Sequence, residues 1–212
     1  MRTYRIGTVA LFAVAVQASG QKAQLQIILP ERAELATEAP LVRSSSLLAD
    51  EPMRNLLVNG FPARLHYKIE RWATGGWFDD IKASSEWDVV VKYDALGKRY
   101  HVFRAFGNRA TELGSYATLN EAQEIVDIPF RAPISLPRRG QKSYYNVVLD
   151  IETLSLTELD EVEQWLRGEV KPAVRGKKNP GTAMSRGMRT LVIRLLGGEK
   201  RRYEARSGTF RP

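Results

Sequence analysis

The chain has 212 residues, of which 43% are hydrophobic and 26% charged, a balance typical of a folded globular domain. It contains no Cys and only two His, which excludes disulfides, thiol nucleophiles, zinc–thiolate sites and haem attachment, and argues against a His-rich metal site. The net charge of +8 is uneven: residues 171–212 have twelve Lys or Arg against two Glu, whereas residues 21–170 have 18 basic and 22 acidic residues.

The first residues have the pattern of a secretory signal peptide. Two Arg and no acidic residue precede an apolar run over 6–16, and small residues follow at Ala18 and Gly20. The run is about half as long as the roughly 20 apolar residues of a membrane-spanning helix. We expect cleavage near Gly20 and a mature chain that begins at Gln21; the alternative is an N-terminal core helix. Because no Cys follows the run, a lipoprotein acyl anchor is excluded.

The mature chain is predicted to begin with short elements. Apolar residues at every second position over 23–29 predict a strand that ends at Pro30, and residues 41–48 predict a second strand. A short helix is then expected from its N-cap, Asp50, to the Asn59–Gly60 pair. Its apolar face consists of Met53, Leu56 and Leu57.

The clearest β signal covers residues 61–104. Alternation predicts one long strand over 61–70 and another over 77–93, and a turn after the second leads to a partner strand. Such an antiparallel meander has one buried and one wet face. In the second strand the even positions, Asp88 among them, are expected to face solvent. The odd positions are expected to be buried: Trp77, Ile81, Ala83, Trp87, Val89, Val91 and Tyr93.

Two capping boxes predict the helices that follow. Thr118–Glu121 opens a short helix, and Ser155–Glu158 opens another that ends at Gly168. Between them, three prolines over 129–137 indicate an extended connection, and alternation over 145–151 predicts a further strand.

The basic segment 171–212 is predicted to contain an amphipathic helix over 183–196. At 3.6 residues per turn, most of its apolar residues lie on one side and its arginines on the other. Either the apolar side packs on the sheet, or it lies on an anionic membrane surface. Nucleic acid is not expected as a partner, because the chain is predicted to be exported. The basic residues that would meet a membrane or another anionic partner are Lys177, Lys178, Arg186, Arg189, Arg194, Lys200, Arg201 and Arg202.

Six segments carry a resemblance to a known family: Gly60–Tyr67, Trp77–Asp80, Glu86–Asp88, Tyr93–Leu96, Leu156–Leu159 and Trp165–Leu166. They resemble the pattern of an uncharacterised exported bacterial family known only as a domain of unknown function, number four-three-nine-zero. The resemblance covers residues 23–170. It implies export, and it implies no activity and no site residues; some members are encoded beside sensor-kinase genes, which points to envelope signalling.

The sequence contains no nucleophile turn and no phosphate-binding loop. A weak ligand or partner surface is predicted at Trp72, His66 and Asp80, because Trp72 lies off the apolar face of its strand and exposed rings can stack on sugars or bases. Trp77 and Trp87 are predicted to be core residues instead. No cofactor, metal or catalytic residue is expected. A hydrolase would have to use Asp79, Asp80, Asp88, His66 or His101.

These patterns predict a mainly β (α+β) fold, an antiparallel β-sandwich or curled sheet with three to four short helices. The expected organisation is a signal peptide over 1–20, a β-rich exported domain over 21–170 and a basic tail over 171–212. The expected function is that of a non-catalytic extracytoplasmic interaction or ligand-binding domain, periplasmic or secreted and associated with the envelope or with signalling. An exported hydrolase is the second possibility and a structural envelope component the third.

Overall fold

The computed structural model describes residues 22–75, 77–107, 109–154 and 201–212. Within these residues the chain forms nine strands and two short helices, fewer helices than the three to four expected. The predicted helices after Ser155 and over 183–196 lie outside the described residues. In chain order the elements are β1 (Gln24–Ile28), β2 (Leu41–Ser45), α1 (Glu51–Val58), β3 (Ala63–Ala73), β4 (Asp80–Asp94), β5 (Arg99–Phe106), β6 (Arg109–Tyr116), α2 (Leu119–Val126), β7 (Phe130–Arg131), β8 (Ser143–Thr153) and β9 (Arg201–Arg206).

The strands form two antiparallel sheets. The small sheet has the order β1-β2-β7, and the large sheet has the order β6-β5-β4-β3-β8-β9. Each ladder between neighbouring strands is antiparallel. The prediction of a mainly β, antiparallel fold is therefore confirmed.

The core lies on one face of the large sheet, which we call the inner face. In β3, buried Leu65, Tyr67 and Ile69 alternate with half-buried polar residues, as the sequence predicts. Both sheets and both helices contribute side chains to a single buried cluster. Every second residue of each strand points to the opposite side of the large sheet, which we call the outer face. Most of the side chains there are polar or charged.

The two helices differ in how their first turns are capped. In α2 the predicted capping box is present: Thr118 Oγ1 accepts from the Glu121 amide at 3.2 Å, and Glu121 Oε2 accepts from the Thr118 amide at 3.1 Å. Asp50 occupies the N-cap position of α1, but its side chain makes no capping hydrogen bond. Its carboxylate instead accepts from both terminal nitrogens of Arg201, at 2.9 and 2.6 Å. The Asp50 side chain thus ties α1 to β9.

Because of a β-bulge at the start of β4, the prediction of a buried Ile81 is wrong. The register between β3 and β4 shifts at Arg71/Trp72, so that Arg71 pairs with Ala83 while Trp72 pairs with Ile81. Directly paired residues share a face, which puts Ile81 beside Trp72 on the outer face. Because one extra residue reverses the alternation, Ile81 is half exposed rather than buried.

The end of the basic segment is part of the large sheet. Strand β9 pairs with β8 over six residue pairs, from Ile151↔Arg201 to Asn146↔Arg206. The chain therefore leaves the sheet after Leu154 and re-enters it at Arg201 at the same end. Residues 201–212 belong to the folded domain, whereas the domain boundary predicted at 170 lies outside the described residues.

Candidate functional site

The outer face has a group of interacting charges, the charged cluster of Arg64, His66, Asp88 and Glu152, near the middle of the sheet. Arg64 donates to both Asp88 oxygens at 3.0 Å and to Glu152 Oε1 at 3.1 Å. His66 Nδ1 lies 2.7 Å from Asp88 Oδ1. The cluster forms because His66 of β3 pairs with Asp88 of β4 on one side and with Asp150 of β8 on the other. Two residues away on β3, Arg64 pairs with Glu152 of β8.

These contacts oppose the effect of burial on the pKa values of Asp88 and Arg64. Burial alone would raise the pKa of Asp88, but the hydrogen bonds from His66 and Arg64 outweigh it and hold the pKa below its ordinary value. Burial would likewise lower the pKa of Arg64, yet Asp88 and Glu152 raise it. The sequence predicts a solvated Asp88, whereas the structure places its carboxylate between Arg64 and His66 with only 22% of the side chain exposed.

Replacing Asp88 with Asn should therefore lower the free energy of unfolding at neutral pH by about 1–3 kcal/mol, the range for hydrogen bonds to charged groups. Because the folded state lowers the pKa of Asp88, its stabilisation is fully present above the unfolded value of about 3.9 and is lost as pH falls through the folded value. In denaturant unfolding, the difference between wild type and variant should shrink below about pH 4. Glu124→Gln, which removes the same charge from an exposed site on α2, is the control; an equal loss of stability in both variants would contradict the prediction.

The histidines do not form one site. His66 pairs with Asp88, and His101 Nδ1 lies 2.9 Å from Glu112 Oε1. His66 on β3 pairs with Asp88 of β4, and His101 on β5 pairs with Lys92 of β4, four residues further along that strand. At about 3.3 Å per residue, the backbones of the two histidines are about 13 Å apart along the strand direction. Each histidine thus contacts a separate carboxylate.

Trp72 belongs to a ladder of stacked side chains at the other end of β3. Its ring lies parallel to that of Tyr144, with centroids 6.1 Å apart, and the Arg206 guanidinium covers the Tyr144 ring at 3.7 Å. The indole nitrogen of Trp72 donates to Glu70 Oε2 at 3.2 Å. The ladder spans β3, β8 and β9, and it stiffens the end of the sheet from which the β3–β4 hairpin projects.

This end of the sheet, which we call the tip end, carries two exposed aromatic residues. Trp77 is 99% exposed and Phe78 85% exposed. The prediction of a buried Trp77 is wrong because β4 begins only at Asp80, so Trp77 lies in the hairpin loop and not on the alternating strand. Large apolar side chains exposed together at one tip are unusual on a folded domain and indicate a contact surface.

Five exposed basic side chains surround the tip end and are called the basic rim: Arg138, Arg139, Lys142, Arg206 and Arg211. Backbone hydrogen bonds place them there. The Thr74 amide donates to the Lys142 carbonyl at 2.9 Å, Ser143 exchanges hydrogen bonds with Phe210, and the Gly140 amide donates to Pro212 at 2.8 Å.

Buried Arg71 fixes the connection that carries three members of the basic rim. Its Nε donates to the Ser135 carbonyl and its Nη1 to Gln141 Oε1, both at 3.2 Å. Both acceptors lie in the proline-containing connection between β7 and β8. The guanidinium thus holds the segment that contains Arg138, Arg139 and Lys142 against the end of β3.

The acidic residues of the hairpin have partners within the domain. Asp80 accepts from Lys82 Nζ at 3.3 Å. Asp79 hydrogen-bonds with Tyr144, and burial together with this bond raises the pKa of the Tyr144 phenol. Within the described residues Arg138, Arg139, Lys142 and Arg211 form no ion pair. The tip end therefore presents uncompensated positive charge around two exposed rings.

The predicted site residues are brought together only in part. Trp72 and Asp80 both lie at the tip end, where Ala73 pairs with Asp80. His66 is six residues away along β3, about 20 Å, in the charged cluster. Arg201 is bound to Asp50, and Arg202 Nη1 lies 3.6 Å from Asp150 Oδ2. Outside the described residues lie Lys177, Lys178, Arg186, Arg189, Arg194 and Lys200.

No protein-family model, curated protein or solved structure matches this chain. In the part of the chain that the structure describes, no group of three or more His, Asp or Glu is placed to hold a metal ion. No helix of that part is long and apolar enough to span a bilayer. The function is therefore inferred from the geometry of the outer face and the tip end.

Proposed function

We propose that the chain is an exported, non-catalytic interaction domain that binds an envelope partner through the tip end of its large sheet. One observation carries the proposal: Trp77 and Phe78 are almost fully exposed, side by side, on a hairpin whose base is stiffened by the ladder of Trp72, Tyr144 and Arg206. Exposed rings on a rigid support are suited to binding because little conformational freedom is lost on contact.

Export and envelope location rest on the sequence: the signal-peptide pattern over 1–20 and the resemblance to the exported family. The two sheets and the helices α1 and α2 share one buried cluster on the inner face of the large sheet, which supports a sandwich arrangement. Binding is favoured over hydrolysis because the sequence contains no nucleophile turn, and because the two histidines contact separate carboxylates, Asp88 and Glu112.

A sedimentation experiment with isolated envelopes tests the proposal. The mature chain from Gln21 should pellet with envelopes, and the variant Trp77→Ser/Phe78→Ser should stay largely in the supernatant, because the contact depends on the exposed rings. Leu96→Ser is the matched control, since Leu96 is 97% exposed in the β4–β5 turn at the opposite end of the sheet. Equal binding by the wild type and the tip variant, or no binding by the wild type, would contradict the proposal.

The basic residues at 177–200 remain a second proposed contact with an anionic partner. The chain leaves and re-enters the sheet beside Leu154 and Arg201, at the end opposite the tip. The two proposed contacts can therefore be tested separately. Arg186→Gln/Arg189→Gln/Arg194→Gln removes three charges of the predicted helix and leaves the tip end unchanged.

A further inference from the structure

We infer that the partner of the tip end is an anionic phospholipid bilayer, into whose headgroup region Trp77 and Phe78 insert. This inference rests on the proposed function, and it names the partner. The indole and phenyl rings have the amphipathic or apolar character that favours the boundary between headgroups and acyl chains. Half-exposed Ile81, on the outer face beside Trp72, extends the apolar surface behind the tip.

The charge around the rings matches a negatively charged surface. All five side chains of the basic rim are exposed, and they lie on segments that hydrogen bonds hold at the tip end. Each Lys or Arg close to an anionic leaflet strengthens binding severalfold. Asp80 is paired with Lys82, and the single charge of Asp79 offsets only one of the five cations of the rim.

A carbohydrate is a poorer match to the same surface. Rings that bind sugars need polar groups beside them that are free to hydrogen-bond the hydroxyls and so fix orientation. Trp77 is 99% exposed, which leaves no neighbouring side chain packed against it to fix the orientation of a sugar. Two exposed aromatic side chains near the cations of the basic rim suit a fluid, anionic and apolar layer better than a rigid polar ligand.

Vesicle binding of the mature chain is the test. Wild type should sediment with vesicles that contain phosphatidylglycerol, bind far less to pure phosphatidylcholine, and dissociate as salt rises because the exposed charges are screened. Trp77→Ser/Phe78→Ser should lower the partition coefficient on the order of 100-fold. Arg138→Gln/Arg139→Gln should lower it about 30-fold, whereas Arg54→Gln/Lys98→Gln, which removes the same charge from exposed sites at the other end, should leave it within about twofold.

Tryptophan fluorescence adds a readout that does not depend on affinity. Brominated acyl chains should quench wild-type emission on binding, and Trp77→Phe should bind with less of that quenching, because Trp77 is the most exposed tryptophan of the described residues. All variants are compared by circular dichroism to verify folding; the substituted side chains are exposed, so the fold should be kept.

The outcomes separate the inference from the proposed function. If wild type binds envelopes but not anionic vesicles, the lipid partner is wrong and the proposed function stands. If wild type binds neither, both are wrong. If wild type binds vesicles and both tip-end variants bind equally well, the inference is overturned, and the basic residues at 177–200 are the contact instead.

Discussion

Replacing Trp87 with Ala should lower the free energy of unfolding by about 3–5 kcal/mol, the range for removing a buried large aromatic side chain. Trp87 is only 3% exposed. Its ring stacks on that of Tyr67 with centroids 5.0 Å apart and planes 4° from parallel, and it meets Phe130 of the small sheet at 5.6 Å. The indole thus joins the large sheet to the small one, and its loss would leave a cavity between them.

The chain provides a matched control for this experiment. Trp77→Ala removes the same atoms from a side chain that is 99% exposed, and exposed substitutions usually change stability by less than about 0.5 kcal/mol. Denaturant unfolding of both variants should show a large loss for Trp87 and almost none for Trp77. A loss of similar size in the two variants would mean that the hairpin loop packs against the domain and that the tip end is not an exposed surface.

The long central strands could be predicted from the sequence because burial on one face imposes period-two alternation. In β3 and β8 the predicted buried residues, among them Leu65 and Leu149, are those that the structure buries. Edge strand β6 was missed because Gly114 and the bulge at Val102/Phe103 interrupt the pattern. Edge strand β9 was missed because three arginines and a glutamate obscure its alternation, as is common for edges that must resist pairing with other chains.

The candidate site could be predicted less well than the fold. Trp72 was identifiable because it lies off the apolar face of its strand. Its partner Tyr144, and Arg206 on the ring of Tyr144, come from positions far along the chain and are brought together only by the strand order β3-β8-β9. The basic rim likewise combines residues 138–142 with 206–211. The Arg-Arg pair before Gly140 was a visible signal, but only the backbone hydrogen bonds of its segment place it at the tip end.

The largest effect is expected from ending the chain at residue 200, which removes β9 and the residues that follow. We expect this variant to lose its cooperative unfolding transition. Phe210 is 8% exposed and stacks on Tyr145 at 5.3 Å; its loss alone should cost about 3–5 kcal/mol, a large part of the 5–15 kcal/mol that stabilises a typical domain. The six-residue ladder with β8 and the paired Asp50–Arg201 contact are lost as well.

Removal of β9 would also expose β8 as a new edge with a row of core residues, a template for aggregation. Thermal unfolding followed by circular dichroism and light scattering measures both effects. The control is full-length Arg211→Gln, which loses one exposed charge and keeps the strand, and it should melt close to the wild type. A cooperative transition at the wild-type temperature in the truncated chain would show that β9 is dispensable.

If the truncated chain unfolds as expected, truncation before residue 201 cannot test membrane binding by the basic segment, because it unfolds the domain along with removing the charge. The charge substitutions at Arg186, Arg189 and Arg194 avoid that confusion, since they leave the β8–β9 ladder in place.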